Sequence, residues 1–178
     1  MAGLWKKILI KDAMIKDAGM VETLEQSGKI DADSPILEDL VVRCLEIKRD
    51  VVAQDERDKG ERMKLNYGHT IGHALERMCA QDGTQMSHGQ GVARGMAAIT
   101  AASERLGQTE TGTTARLTAL LKTAGLPADI DGFDKNEILS GIFVDKKNVA
   151  DTLNIILVSK PGKSFIHRIG KTQMRDYL

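Results

Sequence analysis

Residues Arg62–Glu76 read RMKLNYGHTIGHALE, and the rest of the chain is best read outward from them. Wound as one helix at about 100° per residue, Arg62, Asn66, His69 and His73 fall within about 60° of one another. Ile71, Leu75 and Met78 fall on the opposite side. One face therefore buries aliphatics while the other lines up a guanidinium, an amide and two imidazoles. That stacking is what a metal or anionic-ligand site requires. The alternative is a solvated face with two incidental histidines, and a helix starting as late as Gly68 would detach Arg62 and Asn66. Gly68 and Gly72 favour the site. Two glycines inside a helix cost roughly 1 kcal/mol each against alanine unless something must approach closely.

The flanking sequence is also helical in character, with only three prolines and abundant Ala, Leu, Met and Glu. One or two helices are expected from Trp5 to about Gln26, broken near Gly19. Asp33-Ser34-Pro35 marks a helix start, with Ser34 as N-cap and Pro35 as first helical residue, running to about Gln54. DERDKGER (55–62) reads as a polar turn with Gly60 as its flexible point. Further helices are expected over about Leu65–Ala80, Gln90–Leu106 and Thr114–Thr123. Another starts at the Asp134/Glu137 pair, spaced like a capping box, and runs through Phe143. TLNIILV (152–158) and SFIHRI (164–169) flank a Lys-Pro-Gly-Lys turn and read as a hairpin. The expected fold is mainly α: one multi-helix domain over 1–178 with a small C-terminal β-hairpin.

Three further segments bear on chemistry. In SHGQGVARGMAAIT (87–100), His88 opens a Gly- and Ala-rich helix able to pack tightly on a neighbour, which places it to coordinate a metal alongside His69. In the helix after Pro35, Leu37, Leu40, Val41, Cys44, Val51 and Val52 form an apolar stripe with Lys48 at its centre. A lysine there either snorkels to water or meets an anion in a pocket. Asp145-Lys146-Lys147 sits in a turn before the hairpin, where a solvated charge cluster is the ordinary reading.

Lys plus Arg equals Asp plus Glu at 25 each, so no basic field argues for nucleic acid or an anionic membrane. No apolar run approaches the roughly 18 residues of a spanning helix. MAGLWKKILIKD (1–12) carries lysines within its apolar stretch and no small-residue cleavage site, unlike a signal peptide. Cys44 and Cys79 are isolated and read as core residues in a reducing compartment. A cytoplasmic chain is expected.

IKRDVVAQDERDKGERMKLNYGHTIGHALE (47–76), HGQGVARGM (88–96) and DKKN (145–148), in that order, resemble 3-dehydroquinate synthase, one of the sugar phosphate cyclases. The resemblance covers nearly the whole chain, and LNxGHTxGHAxE is specific to the family. It implies conversion of the phosphorylated sugar acid DAHP to 3-dehydroquinate with loss of phosphate, in the shikimate pathway. It also implies a divalent metal (zinc or cobalt), NAD in the complete enzyme, and a homodimer. His69 and His88 match the metal ligands. Lys48, Arg62, Asn66, His73 and Lys146 match residues that hold the substrate's carboxylate, phosphate and hydroxyls.

The chain departs from the family pattern in three ways. No strand–Gly-rich-turn–helix unit for NAD is evident, so the family's nucleotide-binding domain is expected to be missing and these 178 residues inactive alone. The family's third metal ligand, a Glu, falls on Gly3 when the segments are laid without gaps, and its nearby lysine on Lys6. Gln90 stands where the family usually has Glu. Two other readings share the motifs: a different cyclase, similar to 2-deoxy-scyllo-inosose synthase, or a non-catalytic remnant or dimerisation module.

Overall fold

The computed structural model describes residues 2–55, 60–143 and 151–178; Lys146 and Lys147 lie outside the described residues. Among the described residues, seven α-helices are followed by an antiparallel hairpin, as the sequence leads one to expect. They are α1 (Ala2–Lys16), α2 (Ala18–Ser27), α3 (Leu37–Gln54), α4 (His69–Gln81), α5 (His88–Arg105), α6 (Thr113–Thr123) and α7 (Lys135–Phe143). Strands β1 (Thr152–Lys160) and β2 (Lys163–Gly170) pair from Thr152↔Gly170 to Val158↔Ser164, with an irregularity before Lys160. A 3-10 segment, Lys171–Tyr177, closes the chain.

α1 is the central element, in contact with α2, α3, α5 and α6 and with the hairpin. Its Leu9, Ile10, Ala13, Met14 and Ile15 are buried. The hairpin is covered on both faces, so Ile155, Ile156, Leu157 and Val158 are all buried and strict alternation is lost. Its turn docks on the end of α1, where the Gly162 N–H donates to the Met14 carbonyl at 3.0 Å and the Ser164 hydroxyl to the Ile15 carbonyl at 2.9 Å. Gly162 has φ +79°, and a side chain there would collide with Ala18. Both cysteines are buried and free. Among the described residues no helix is long and apolar enough to cross a membrane.

Three boundaries differ from expectation, each for a local reason. α1 and α2 part at Asp17 rather than Gly19, because the Asp17 carboxylate accepts the Met20 N–H at 2.9 Å and caps α2. α3 starts at Leu37, after Ile36, with no side-chain cap. Ser34 instead turns its hydroxyl back to accept the Asp31 N–H at 2.9 Å. The helix expected from Leu65 is two pieces, a 3-10 segment Glu61–Asn66 and α4 from His69. Tyr67 is extended (φ −53°, ψ 125°) and Gly68 is left-handed (φ 79°), a conformation that glycine adopts without steric cost.

α4 packs on α5 through glycine. A Cβ added at Gly72 would lie 2.9 Å from the Gly91 carbonyl, and one at Gly95 would fall on the Gly68 carbonyl oxygen. Backbone therefore meets backbone where these helices cross. Ser87 and Gln90 form a capping box that fixes the start of α5 at His88. Gln90, the departure noted in the sequence, serves here as the capping side chain.

Candidate metal and substrate site

The left-handed Gly68 puts His69 in the first turn of α4, and His73 follows one turn later on the same face. The glycine contact then brings the start of α5, with His88, alongside them. The three imidazoles converge: ring centroids are 5.2 Å apart for His69–His88, 5.4 Å for His69–His73 and 5.7 Å for His73–His88. Two imidazoles on one tetrahedral zinc, with Zn–N near 2.1 Å, place their centroids about 5 Å apart. The spacing fits a shared divalent ion. Glu76, one turn beyond His73, accepts at Oε1 from the His88 ring, with Nδ1 3.0 Å away.

His69 is the most enclosed of the three imidazoles, and its pKa is lowered to about 4, by burial first and then by the charge of Lys11. A neutral ring at physiological pH is the form that binds metal. Its Nδ1 lies 3.2 Å from the Tyr67 carbonyl, a partner that makes Nδ1 the donor and leaves Nε2 free.

Below the histidines lies a cluster of lysines. α1 contributes Lys7 and Lys11, 4% and 6% exposed, with Asp12 at 0%. Lys11 Nζ donates to the Leu65 carbonyl at 2.8 Å and lies 3.3 Å from one Asp12 oxygen. Lys48 Nζ, from α3, lies 3.4 Å from the other. Lys11 and Lys48 thus flank one buried carboxylate, with Lys7 close enough to feel its charge, an excess of cations suited to an anionic ligand. Lys48 reaches this cluster while its side chain stays partly exposed.

The excess has a consequence for pH. Burial first, then the neighbouring Lys11, lowers the Lys7 pKa from 10.5 to about 8. The unfolded chain keeps that proton up to about 10.5, so between pH 8 and 10.5 it binds more protons than the folded chain. Stability from this group therefore rises with pH across that window. Below pH 8 the cost is fully present, at most of order 3 kcal/mol. Urea unfolding of wild type and Lys7→Met from pH 7 to 10 should show this rise in wild type and a flatter profile in the variant. Parallel profiles would show that Lys7 carries no such cost.

The structure does not bring every candidate together. Arg62 and Asn66 belong to the 3-10 segment, so the single-helix stripe holds only from His69 onward. The Arg62 backbone N–H donates to the Asp55 carboxylate at 3.1 Å. Asn66 borders a crevice with Thr70, Ile71, Gly95 and Ile155. Lys6 stacks over the Trp5 ring at 5.4 Å, in an apolar crevice with Leu24 and Leu120. The α3 stripe is narrower than expected: Leu40, Cys44 and Val51 are buried, while Val41 and Val52 are exposed.

Four groups were not found by sequence reasoning: Glu76, Lys7, Lys11 and Asp12. Glu76 lies seven residues after His69, within about 20° of it on a helix. Lys7 and Lys11 are four apart on a helix otherwise rich in apolar residues. The Glu76 spacing was a readable signal, whereas Lys7 and Lys11 are gathered only by the tertiary arrangement.

Known proteins resemble this chain in sequence and in fold. A family model described as 3-dehydroquinate synthase C-terminal matches residues 9–148. The 3-dehydroquinate synthase of Clostridium acetobutylicum is 37% identical over 170 residues, 96% of this chain and 47% of that protein. That of Clostridium perfringens is 38% identical over 159 residues, 89% and 45% respectively. The chain thus spans about half the length of the curated relatives it matches. Among solved structures, a 2-deoxy-scyllo-inosose synthase complexed with carbaglucose-6-phosphate, NAD+ and Co2+ superposes with a TM-score of 0.76 at 25% identity. The match covers 98% of this chain and 51% of that one. A 2-epi-5-epi-valiolone synthase from Streptomyces hygroscopicus, with NAD+ and Zn2+ bound, gives 0.77 at 15% identity, covering 99% and 49%.

Proposed function

The chain belongs to the 3-dehydroquinate synthase C-terminal family, and from that membership we propose that it is the metal- and substrate-binding half of such an enzyme. The reaction is conversion of DAHP to 3-dehydroquinate with loss of phosphate. The observation that carries this reading is the meeting of three imidazoles with the Lys7, Lys11 and Lys48 cluster around Asp12. A phosphorylated sugar acid needs both: cations for its phosphate and carboxylate, and a cation-holding centre for its hydroxyls.

Among the family-matched residues, His69 and His88 would hold a zinc or cobalt ion, and Lys48 and His73 would face the substrate. Lys146, Arg62 and Asn66 have the same substrate role by resemblance. The ion supplies a Lewis acid, and NAD, in the complete enzyme, the hydride acceptor. The chain's own residues do the positioning. Asp12 holds the Lys11 and Lys48 amines in fixed directions, so an arriving anion meets preset charges. The Tyr67 carbonyl fixes the His69 tautomer. The low pKa of His69 keeps the ring unprotonated at neutral pH. A cytoplasmic homodimer completes the proposal.

The likeness to 2-deoxy-scyllo-inosose synthase favours a second reading, a cyclase acting on glucose 6-phosphate. One experiment separates them. The 178 residues alone should give no heat with NAD in calorimetry and release no phosphate from DAHP, because their described sheet is only a two-stranded antiparallel hairpin. Joined to the nucleotide-binding half of the Clostridium acetobutylicum relative, they should release phosphate from DAHP in an NAD-dependent way. A folded fusion that uses glucose 6-phosphate instead would establish the second reading. Turnover by the isolated chain would overturn the division of labour.

A further inference from the structure

We propose that the outer face of α3 is a docking surface for a second copy of this chain, the two helices packing antiparallel about a two-fold axis. The inference gives a surface to the homodimer of the reading above and rests on that reading for nothing else.

α3 is apolar over more of its circumference than the fold covers. Its Leu40, Cys44 and Val51 are buried, and among the described residues α1 and the Glu61–Asn66 segment are its main neighbours. A second strip lies about 130° round the helix from the buried one. It holds Val41, Val42, Leu45 and Val52, four of the five exposed large hydrophobics among the described residues, with Leu45 60% exposed. Glu38 and Arg49, also exposed, complete the strip, and all six fall within about 100° of arc. A surface helix ordinarily shows one apolar stripe toward the core and a charged face opposite. The second strip serves no contact within the described residues.

Charge complementarity identifies the occupant. Glu38, Val42, Leu45, Arg49 and Val52 follow one another at steps of four, three, four and three residues, the repeat of a helix–helix seam. A two-fold axis crossing α3 between Arg43 and Cys44 sets Val42 opposite the partner's Leu45 and Glu38 opposite the partner's Arg49. Symmetry repeats both contacts. The seam then has two apolar layers at its centre and an opposite-charge pair closing each end. A parallel copy would instead set Glu38 against Glu38 and Arg49 against Arg49, so the strip complements itself only when reversed. Arg49 has a side chain 68% exposed and leans on its chain neighbour Asp50 at 2.8 Å, which leaves the guanidinium able to reach across. Two heptads make a short seam, so the dimer is a weak one, with dissociation on the order of 10 μM.

The test is sedimentation equilibrium of the 178-residue chain from micromolar to millimolar protein, with wild type and four variants. Wild type should pass from monomer to dimer across that range. Leu45→Glu should weaken dimerisation about a hundredfold, since it puts two acids into the apolar layers of each dimer. Glu38→Arg and Arg49→Glu should each weaken it about tenfold, because each sets like charges together at both ends. The double swap Glu38→Arg/Arg49→Glu restores the opposite pairing and should return to within about threefold of wild type. All of these positions are exposed, so urea midpoints in dilute protein should stay at the wild-type value. A wild type that remains monomeric at millimolar protein overturns the inference. A dimer that none of the variants moves uses another face, which overturns it while a homodimer stands. Losses that the double swap does not recover mean that the strip covers something other than its own reversed copy. The measurement needs no metal, NAD or substrate, so its failure is separate from failure of the enzymatic reading, which phosphate release decides.

Discussion

Gly95→Ala is expected to destabilise the fold by about 4 kcal/mol or more, a large share of the roughly 5–15 kcal/mol that holds a domain together. Alanine is otherwise the better helix former by about 1 kcal/mol, so propensity predicts the opposite sign. The packing decides. The new methyl would fall on the Gly68 carbonyl oxygen and 2.9 Å from the Gly72 backbone nitrogen. Neither is the end of a flexible side chain that can swing away. Relief requires α4 and α5 to separate, which strips contacts from Ile71, Leu75, Val92 and Met96, all buried. Overpacking typically costs 1–3 kcal/mol, and more where only backbone can yield. The same separation moves His88 away from His69 and His73, so any folded fraction should also bind cobalt more weakly. Gly19→Ala is the control: its Cβ would meet Arg43 at 3.4 Å and Asp17 at 3.5 Å, ordinary contacts, so it should be neutral or slightly stabilising. Urea unfolding curves of the two variants should fall on opposite sides of wild type. Equal midpoints would mean that the helix crossing is loose enough to absorb a methyl group.

The sequence carried the helical class and the hairpin because both depend on periodicity and turn residues, which are local. It also carried the approach of His69, His73 and His88, since His69 and His73 share a face of α4 and the glycines around them signal a close partner. It did not carry the break at Tyr67-Gly68. A 3-10 segment and an α-helix present the same kind of amphipathic pattern over six residues, and the positive φ of Gly68 is not written in its neighbours. The role of Lys7 and Lys11 was also hidden. Read locally, lysines in an apolar stretch look like snorkelling side chains on a surface helix. They are buried because α1 is surrounded on all sides, which is a property of the tertiary arrangement. The width of the α3 stripe follows from the same arrangement: among the described residues, only α1 and the Glu61–Asn66 3-10 segment cover α3 appreciably, and Val41 and Val52 are exposed.

Asp12→Ala tests whether that central helix is held by charge as well as by apolar contact, and it should cost about 3–5 kcal/mol. Asp12 is fully buried, and Lys11 beside it has a side chain 7% exposed. Removing the carboxylate leaves the Lys11 ammonium with the Leu65 carbonyl and no opposing charge at its side. Lys48, with a side chain 36% exposed, can turn toward water, so its share of the loss is small. Lys7 loses an attraction that raises its pKa, so its proton should leave at still lower pH. Cys44, whose thiol is pushed to about 12 by burial first and then by Asp12, should become easier to ionise. The decisive comparison is a cycle with Lys11→Met. If the loss is that of an uncompensated cation, the double variant Asp12→Ala/Lys11→Met should recover most of the stability, because a buried pair replaced by apolar groups is often neutral. Additive losses would instead mean that Asp12 acts through packing, and that the lysine cluster is held in place by the helices rather than by its counter-charge.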